Sequence, residues 1–376
     1  MSAERAAEQL IKTPAEISMG FDVRSHQYER CLDRESCVYT FKNTERNNNK
    51  ASQYETKSLL YMIGLRPDKK QISILAIDCF NDVTGLSSGG KLWDLQSKGE
   101  ANLTPQKIGK YLYTLYSNYH SVFKFHEFIF FMPVLKDSYL QKDVGYFYGL
   151  ENFKVAEQDK IILGLSKELN RVHGVVSRPK IDSFLERVVF VEDRELSHNY
   201  VKNILDFKGR DKKSDLFYDE IFKEIRDRQI VKKASCIEGM SISRPLDVLS
   251  LGRHIETKDI HILLVNRFVG IDLFSPMQGV PIEFYSEAKS RDLDMEDLRD
   301  LIQDCQAKIS RAFFNKNSKK EFWKVLEIVL SSIEKNRSVT ILDVFKNVEL
   351  LVKRLAVLDR DSVLFLSALI KEGLNK

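Results

Sequence analysis

Five side chains with metal-binding or phosphate-binding chemistry lie on two neighbouring runs of alternating apolar residues. Because side chains of an extended strand alternate between its two faces, each run places its polar members together. The residues grouped in this way are Asp78 and Asp82 on the first run (72–82) and Asp94, Gln96 and Lys98 on the second (91–98). Carboxylate and amide oxygens suit Mg²⁺, and an ammonium group stabilises negative charge that develops on a phosphate. The spacing predicts a divalent-cation site, and it is equally typical of a half-buried hairpin with a solvated polar face.

A predicted helix upstream adds one further acidic side chain, Glu55. The helix spans residues 52–63, and Glu55 shares its apolar stripe with Leu59 and Met62. A carboxylate aimed at a core is costly unless it is paired or binds a metal. Ser52 and Glu55 also have the spacing of a capping box, which would satisfy the helix start without a metal. The two roles are compatible, and both stay open.

A helix with a glutamate, a strand ending in an aspartate and a strand with Gln-x-Lys together resemble the core of PD-(D/E)xK nucleases. The resemblance is to the Mrr-like form, in which glutamine replaces the second acid. More narrowly, residues 78–82 (DCFND) and 95–98 (LQSK) resemble the double-stranded DNA endonuclease domain of antiphage effectors. That domain occurs in cyclic-oligonucleotide defence nucleases and in the nuclease subunit of Lamassu systems. The resemblance covers roughly residues 20 to 150.

The resemblance implies a pair of metal ligands, a catalytic lysine and an acid on the helix. By position these are Asp82 and Gln96, Lys98, and Glu55, respectively. The implied cation is Mg²⁺ or Mn²⁺. Asp78 stands where a glutamate is more usual, and Asn81 where a second aspartate is often found, so the number of bound metals stays open. Asp78 and Asp94 are kept as further candidate ligands.

Lysines near the polar cluster are candidates for contact with the DNA backbone. Lys107 and Lys110 lie on a helix predicted from Thr104 to about His120, and Lys91 opens the second run. Lysines position a protein on DNA by contacting phosphates, and the tyrosines of this helix could stack on bases. Packing of those tyrosines into the core is the alternative.

Two glycine-containing motifs in the connecting turn are excluded by their context. Residues 85–89 (GLSSG) match the letters of a nucleophile elbow, and residues 85–91 have the spacing of a phosphate-binding loop. Both motifs must lead from a strand into a helix, whereas a strand is predicted here. Leu92 also stands where the loop needs a serine or threonine. We therefore expect neither a serine hydrolase nor a nucleotide hydrolase.

Composition sets the broad class of the protein. The chain has 376 residues and a formal net charge of +4, so DNA contact requires local basic patches. The five cysteines are widely spaced and form no C-x-x-C pair, which argues against a zinc site or a disulfide framework. No apolar run approaches the roughly 20 residues of a membrane helix. We expect a cytoplasmic protein with reduced thiols that does not enter membranes.

The order of predicted elements favours an α/β fold. A restriction-endonuclease-like domain, with a central mixed sheet flanked by helices, is expected over residues 1–150 and an α-rich regulatory or docking domain over 151–376. Residues 259–265 are predicted as a strand, with a helix as the alternative. The helices expected near the end span residues 292–314, 318–335, 339–358 and 361–372.

The expected function is that of a divalent-metal-dependent DNA endonuclease, an effector of antiphage or antiplasmid defence released by a sensor complex. The expected partners are double-stranded DNA, an SMC-like ATPase with an accessory subunit, and further copies of the chain in the active state. The alternative is a non-catalytic scaffold that keeps the nuclease fold. A structure-specific RNA or repair nuclease is a third, weaker alternative.

Overall fold

The chain folds around one mixed β-sheet with helices on both of its faces. The computed structural model describes residues 38–41, 49–205, 210, 213–275, 279–315 and 317–375. The strands are β1 (Tyr39–Thr40), β2 (Ile74–Ile77), β3 (Val83–Leu86), β4 (Leu92–Ser97), β5 (Phe125–Pro133), β6 (Tyr146–Tyr148), β7 (Val188–Asp193), β8 (Ser241–Ile242) and β9 (His254–Glu256). The sheet has seven strands in the order β6-β7-β5-β4-β3-β2-β9, and β1 pairs with β8 separately.

Thirteen α-helices in the described ranges cover the sheet and extend beyond it. Those up to residue 202 are α1 (Asn49–Gly64), α2 (Pro105–Tyr111), α3 (Tyr113–Tyr119), α4 (Val155–His173), α5 (Arg178–Leu185) and α6 (Ser197–Lys202). The later ones are α7 (Asp215–Lys233), α8 (Thr257–Val269), α9 (Ile282–Lys289), α10 (Met295–Phe314), α11 (Lys319–Lys335), α12 (Ile341–Val352) and α13 (Arg360–Asn375). The expected α/β class, with a mixed sheet flanked by helices and a helical C-terminal region, is confirmed.

Strand alternation divides the sheet between two apolar cores. Strand β3 is antiparallel to both of its neighbours, β2 and β4, and β5 runs parallel to β4. Trp93 and Leu95 of β4 pack with α1 on one face, whereas Phe128 and Phe130 of β5 pack with α2 and α4 on the other. These side chains are at most 1% exposed, so the predicted burial of Leu95, Phe128 and Phe130 is confirmed.

The first polar run forms two strands rather than one. Strand β2 ends at Ile77, residues 78–82 form a tight turn, and β3 starts at Val83. Asp78 N donates to Asp82 O over 3.1 Å across this turn. Asp78 and Asp82 are therefore brought together by a hairpin, and the prediction that they share a face of one strand is wrong. Three antiparallel strands, not two, carry the polar cluster.

The division expected at residue 150 is crossed by the sheet. Strand β7 joins beside β5, and β9 joins beside β2. The apolar core on the α1 face is also one cluster that includes residues from Leu59 of α1 to Ile370 of α13. The sheet-bearing part of the chain therefore extends to Glu256, and the C-terminal helices share its core.

Several predicted elements differ from the structure in type or length. Residues 259–265 lie in helix α8, so the strand prediction is wrong and the alternative is right. The helix expected over 339–358 ends at Val352. Helix α1 begins at Asn49, so Ser52 lies inside it and cannot cap its start. Residues 1–37, part of the domain expected over 1–150, lie outside the described residues.

The C-terminal helices bury most of the apolar residues that could have formed a docking surface. Phe322, Trp323 and Val325 of α11 are at most 1% exposed. On α12, Leu342 and Leu350 are 38% and 76% exposed. These helices therefore pair with each other and with the common core. Among the helices that the structure describes, none combines the length and the apolar character that crossing a membrane requires.

Burial of His261 in α8 gives the fold a pH-dependent stability. Its Nδ1 donates to Thr257 O over 2.7 Å, and burial, helped by the charges of Lys319 and Lys69, lowers the pKa of the imidazole to about 3. The unfolded chain binds a proton at this site below about pH 6.5, and the folded chain does not. Stability is therefore expected to fall as the pH drops below that value, by about 2 kcal/mol down to pH 5.

Urea unfolding near pH 7 and near pH 5 measures this effect. The fall should be smaller by that amount in His261→Gln than in the wild type. His173, which is exposed, is the matched control. An equal pH dependence of the wild type and His261→Gln would show that His261 is not responsible.

Candidate active site

The candidate site lies where the β2–β3 turn meets the end of β4. Asp78 adopts a φ of 51°, a left-handed conformation that is uncommon outside glycine and is here held by the turn. Because Val83 is opposite Leu95 in the antiparallel register, Asp82 is beside Gln96. The structure thus brings together the two residues that the sequence predicts as metal ligands.

Asp82 and Gln96 are directly hydrogen-bonded. Oδ2 of Asp82 accepts from Gln96 Nε2 (2.8 Å), from Ser97 N (2.6 Å) and from Ser97 Oγ (2.8 Å). Among the described residues no donor bonds Oδ1. On its other side, Gln96 Oε1 accepts from Thr114 Oγ1 of α3 over 2.8 Å. Asp82 is therefore fixed through one oxygen, and the other is left for a ligand.

This pair fits a divalent cation after one local change. A glutamine binds a metal through Oε1, and Oε1 now faces Thr114. Exchanging the amide oxygen and nitrogen would turn Oε1 toward Asp82, and the threonine hydroxyl can accept as well as donate. In the described part of the chain no three His, Cys, Asp or Glu side chains converge to hold a metal ion. A cation here would thus bind Asp82, Gln96 and waters, a coordination that Mg²⁺ commonly adopts.

Glu55 of α1 is buried beside this pair and is neutralised by a lysine. It is 5% exposed and forms an ion pair with Lys233 at the end of α7. Burial raises the pKa of Glu55 well above its usual range; the charge of Asp82 adds to this, Lys233 opposes it, and Asp78 adds a smaller contribution. Glu55 therefore lies within electrostatic reach of Asp82 and is held by a buried ion pair with Lys233.

Asp78 forms an ion pair with a buried arginine. Arg253, which precedes β9, is 2% exposed and contacts Asp78 Oδ2 over 3.1 Å and Asp78 O over 2.9 Å. The arginine holds both the side chain and the backbone of the β2–β3 turn. This geometry favours a structural role for Asp78 over that of a metal ligand.

Asp94 lies beneath the site and is entirely shielded from solvent. Its Oδ2 accepts from Asn81 (2.6 Å) and Asn118 (2.7 Å), and Oδ1 accepts from Thr84 over 3.4 Å. Burial raises the pKa of this carboxyl to about 7 despite these bonds. Both oxygens are used inside the protein, so Asp94 supports the turn rather than offering an open coordination position.

Asp94→Ala is expected to lower the free energy of unfolding by about 3 kcal/mol, because the amides of Asn81 and Asn118 would lose their acceptor in a buried place. Urea denaturation of the variant and of Asp137→Ala, an exposed aspartate, measures the difference. Similar losses in the two variants would contradict the supporting role of Asp94.

Lys98 follows the last residue of β4, two positions after Gln96. Its N donates to Phe131 O over 2.9 Å, and its half-buried ammonium lies 5.5 Å from the centroid of the Tyr111 ring. Glu100 is paired instead with Lys107 and with Tyr111. Lys98 forms no ion pair within the ranges that the structure describes, and its ammonium is available to an incoming phosphate.

The predicted DNA-contacting lysines do not form one group, because Lys107 and Lys110 lie on α2 and Lys91 lies apart from them. Lys107 is paired with Glu100, and Lys110 lies 3.9 Å from Glu168 on α4. Lys91 precedes β4, donates to Gln71 over 3.1 Å and lies 5.0 Å from the Trp93 ring centroid. A six-residue strand is roughly 20 Å long, so Lys91 lies at the opposite end of β4 from Lys98.

Lys233 and Arg253 are the site residues that the sequence did not reveal. They are 178 and 175 positions away from the acids that they contact, Glu55 and Asp78. Spacing rules describe neighbours along one helix or strand and carry no signal over such distances. Comparison of the chain with protein-family models, with curated proteins and with solved structures gave no match. The assignment of a function therefore rests on the site itself.

Proposed function

We propose that the chain is a divalent-metal-dependent DNA endonuclease of the PD-(D/E)xK type, with a Q-x-K active site on a restriction-endonuclease-like core. The observation that carries the proposal is the direct hydrogen bond between Asp82 and Gln96, with Lys98 immediately after the end of the strand that carries Gln96. The buried Glu55 behind this pair is a second supporting feature, because an acid at that position is otherwise costly.

In this mechanism Asp82 and Gln96 would hold Mg²⁺ or Mn²⁺, which supplies Lewis-acid activation of a water molecule. The ammonium of Lys98 stabilises the negative charge that develops on the phosphate as water attacks the phosphorus and a P–O bond of the DNA breaks. Glu55, whose pKa is raised, is suited to accept a proton near neutral pH. Lys233 holds the carboxylate in place.

The biological setting of the proposal rests on the resemblance alone. We place the chain as an effector of antiphage or antiplasmid defence in the cytoplasm, restrained until a sensor complex releases it. An SMC-like ATPase and an accessory subunit are the proposed partners. Cutting both DNA strands needs two active sites, so the active form is proposed to contain more than one copy of the chain.

Plasmid cleavage by the purified chain tests the proposal. Supercoiled plasmid should be linearised with Mg²⁺ or Mn²⁺ and left intact with a chelator. Asp82→Asn, which keeps the shape of the side chain but removes its charge, should abolish cleavage and weaken Mn²⁺ binding in calorimetry. Mn²⁺ binding that is unchanged by Asp82→Asn would overturn the site, and faster cleavage of RNA than of DNA would favour the RNA-nuclease alternative.

A further inference from the structure

A cavity remote from the candidate active site lies between the sheet and the C-terminal helices. It has a volume of about 310 Å³ and is lined by the end of α1, the turn at Lys69–Gln71, the start of α8, the end of α10 and the start of α11. Cavities that bind small molecules commonly have about this volume or a larger one. None of the residues proposed for DNA cleavage lines it.

The walls of this cavity carry a strong excess of positive charge. Five lysines and one acid, Glu256, line it, and Glu256 is paired with Lys258 over 2.9 Å. The lysines are Lys69, Lys70, Lys258, Lys319 and Lys320. Lys69 donates to Gly64 O over 2.6 Å, which fixes its ammonium at the wall. A cleft that is lined by charges of one sign focuses the electrostatic potential. A positively charged cleft therefore attracts anions such as phosphates.

One wall of the cavity is aromatic. Phe313 and Phe314 line it with ring centroids 5.0 Å apart, and Lys319 lies 5.6 Å from the Phe313 centroid. Phe314 is 45% exposed, which is unusual for so large an apolar side chain in this structure. Lysines beside an accessible ring are the combination that binds a phosphate and stacks a planar base.

The wall also offers a hydrogen-bond acceptor. His261 lines the cavity, and its Nδ1 donates to the carbonyl of Thr257. A neutral imidazole that donates through Nδ1 has an acceptor at Nε2. A phosphate has little to offer such an acceptor, whereas the N–H of a base or the O–H of a ribose can donate to it.

We propose that this cavity binds a nucleotide, with its phosphates on the lysines, its base against Phe314 and a base or ribose donor on His261. This site is distinct from the proposed DNA-cleaving centre and does not depend on it. Because its walls come from both the sheet-bearing part and the C-terminal helices, a bound nucleotide would bridge the two.

Calorimetry with the full chain in the presence of a chelator tests the proposal without involving the metal site. The probes are ATP, inorganic tripolyphosphate and dodecyl phosphate. ATP should bind at least about tenfold more tightly than either of the others. Phe314→Ala, at an exposed position, should reduce the affinity for ATP toward that for tripolyphosphate and leave the latter unchanged.

A pair of charge variants tests the lysines. Lys70→Glu/Lys320→Glu should weaken ATP binding at least about tenfold. Lys136→Glu/Lys335→Glu is the matched control, because it makes the same change of net charge at exposed lysines outside the cavity. Equal affinities for ATP and tripolyphosphate, tighter binding of dodecyl phosphate, equal effects of the two double variants, or no binding of ATP would each overturn the proposal.

Discussion

Replacing Lys98 by alanine is expected to slow DNA cleavage at least about a hundredfold, the effect of removing one group that stabilises transition-state charge. Lys98 follows the end of β4, and its ammonium forms no ion pair with the described residues. Removing it should therefore cost little stability, because the side chain contributes mainly its contact with the Tyr111 ring. Plasmid cleavage rates measure the effect, and the midpoint of thermal unfolding shows whether the fold is kept.

Lys124→Ala is the matched control for this variant. Lys124 is exposed and precedes β5, and because β5 is parallel to β4 it lies at the opposite end of the sheet from Lys98. The control should cleave DNA at the wild-type rate. Cleavage by Lys98→Ala at a rate close to that of the control would remove Lys98 from the mechanism and favour the scaffold alternative.

The spacing of residues along the sequence was sufficient to predict which side chains meet where neighbouring strands pair. Asp82 and Gln96 are 14 positions apart and meet because an antiparallel hairpin pairs residues that are close in sequence. The same reasoning failed for the run 72–82, where alternation was extended through a tight turn. The positive φ of Asp78 allows that turn. Residues 78–82 contain no glycine, which would have indicated a turn in the sequence.

The extent of the sheet could not be predicted, for a different physical reason. Strands β7 and β9 pair with β5 and β2 across long stretches of intervening chain, and a short apolar run does not reveal which distant strand it will pair with. Helix periodicity, in contrast, located the C-terminal helices well, since each repeats an apolar stripe over several turns. Because these helices share the core of the sheet, deletion of residues 315–376 would expose that core and would not isolate a docking function.

The ion pair of Lys233 with Glu55 leads to the largest expected change in stability. Their side chains are 11% and 7% exposed, and Lys233 offsets the charge of an acid that lies near Asp82 and Asp78. Lys233→Met would leave Glu55 buried without its cation, which is expected to cost about 3–5 kcal/mol of unfolding free energy. Combining it with Glu55→Gln should recover a large part of this loss, as a double-mutant cycle in urea would show.

The same variant links this pair to the proposed metal site. Without Lys233, one positive charge beside the acids around Asp82 is lost. A divalent cation should therefore bind more tightly there and stabilise the fold more. Lys57→Met is the matched control, because Lys57 forms a comparably buried pair with Asp193 over 2.7 Å elsewhere on α1. Mn²⁺ should raise the unfolding midpoint of Lys233→Met more than that of Lys57→Met or the wild type. Equal shifts in all three proteins would show that Glu55 and Lys233 do not interact with the cation site.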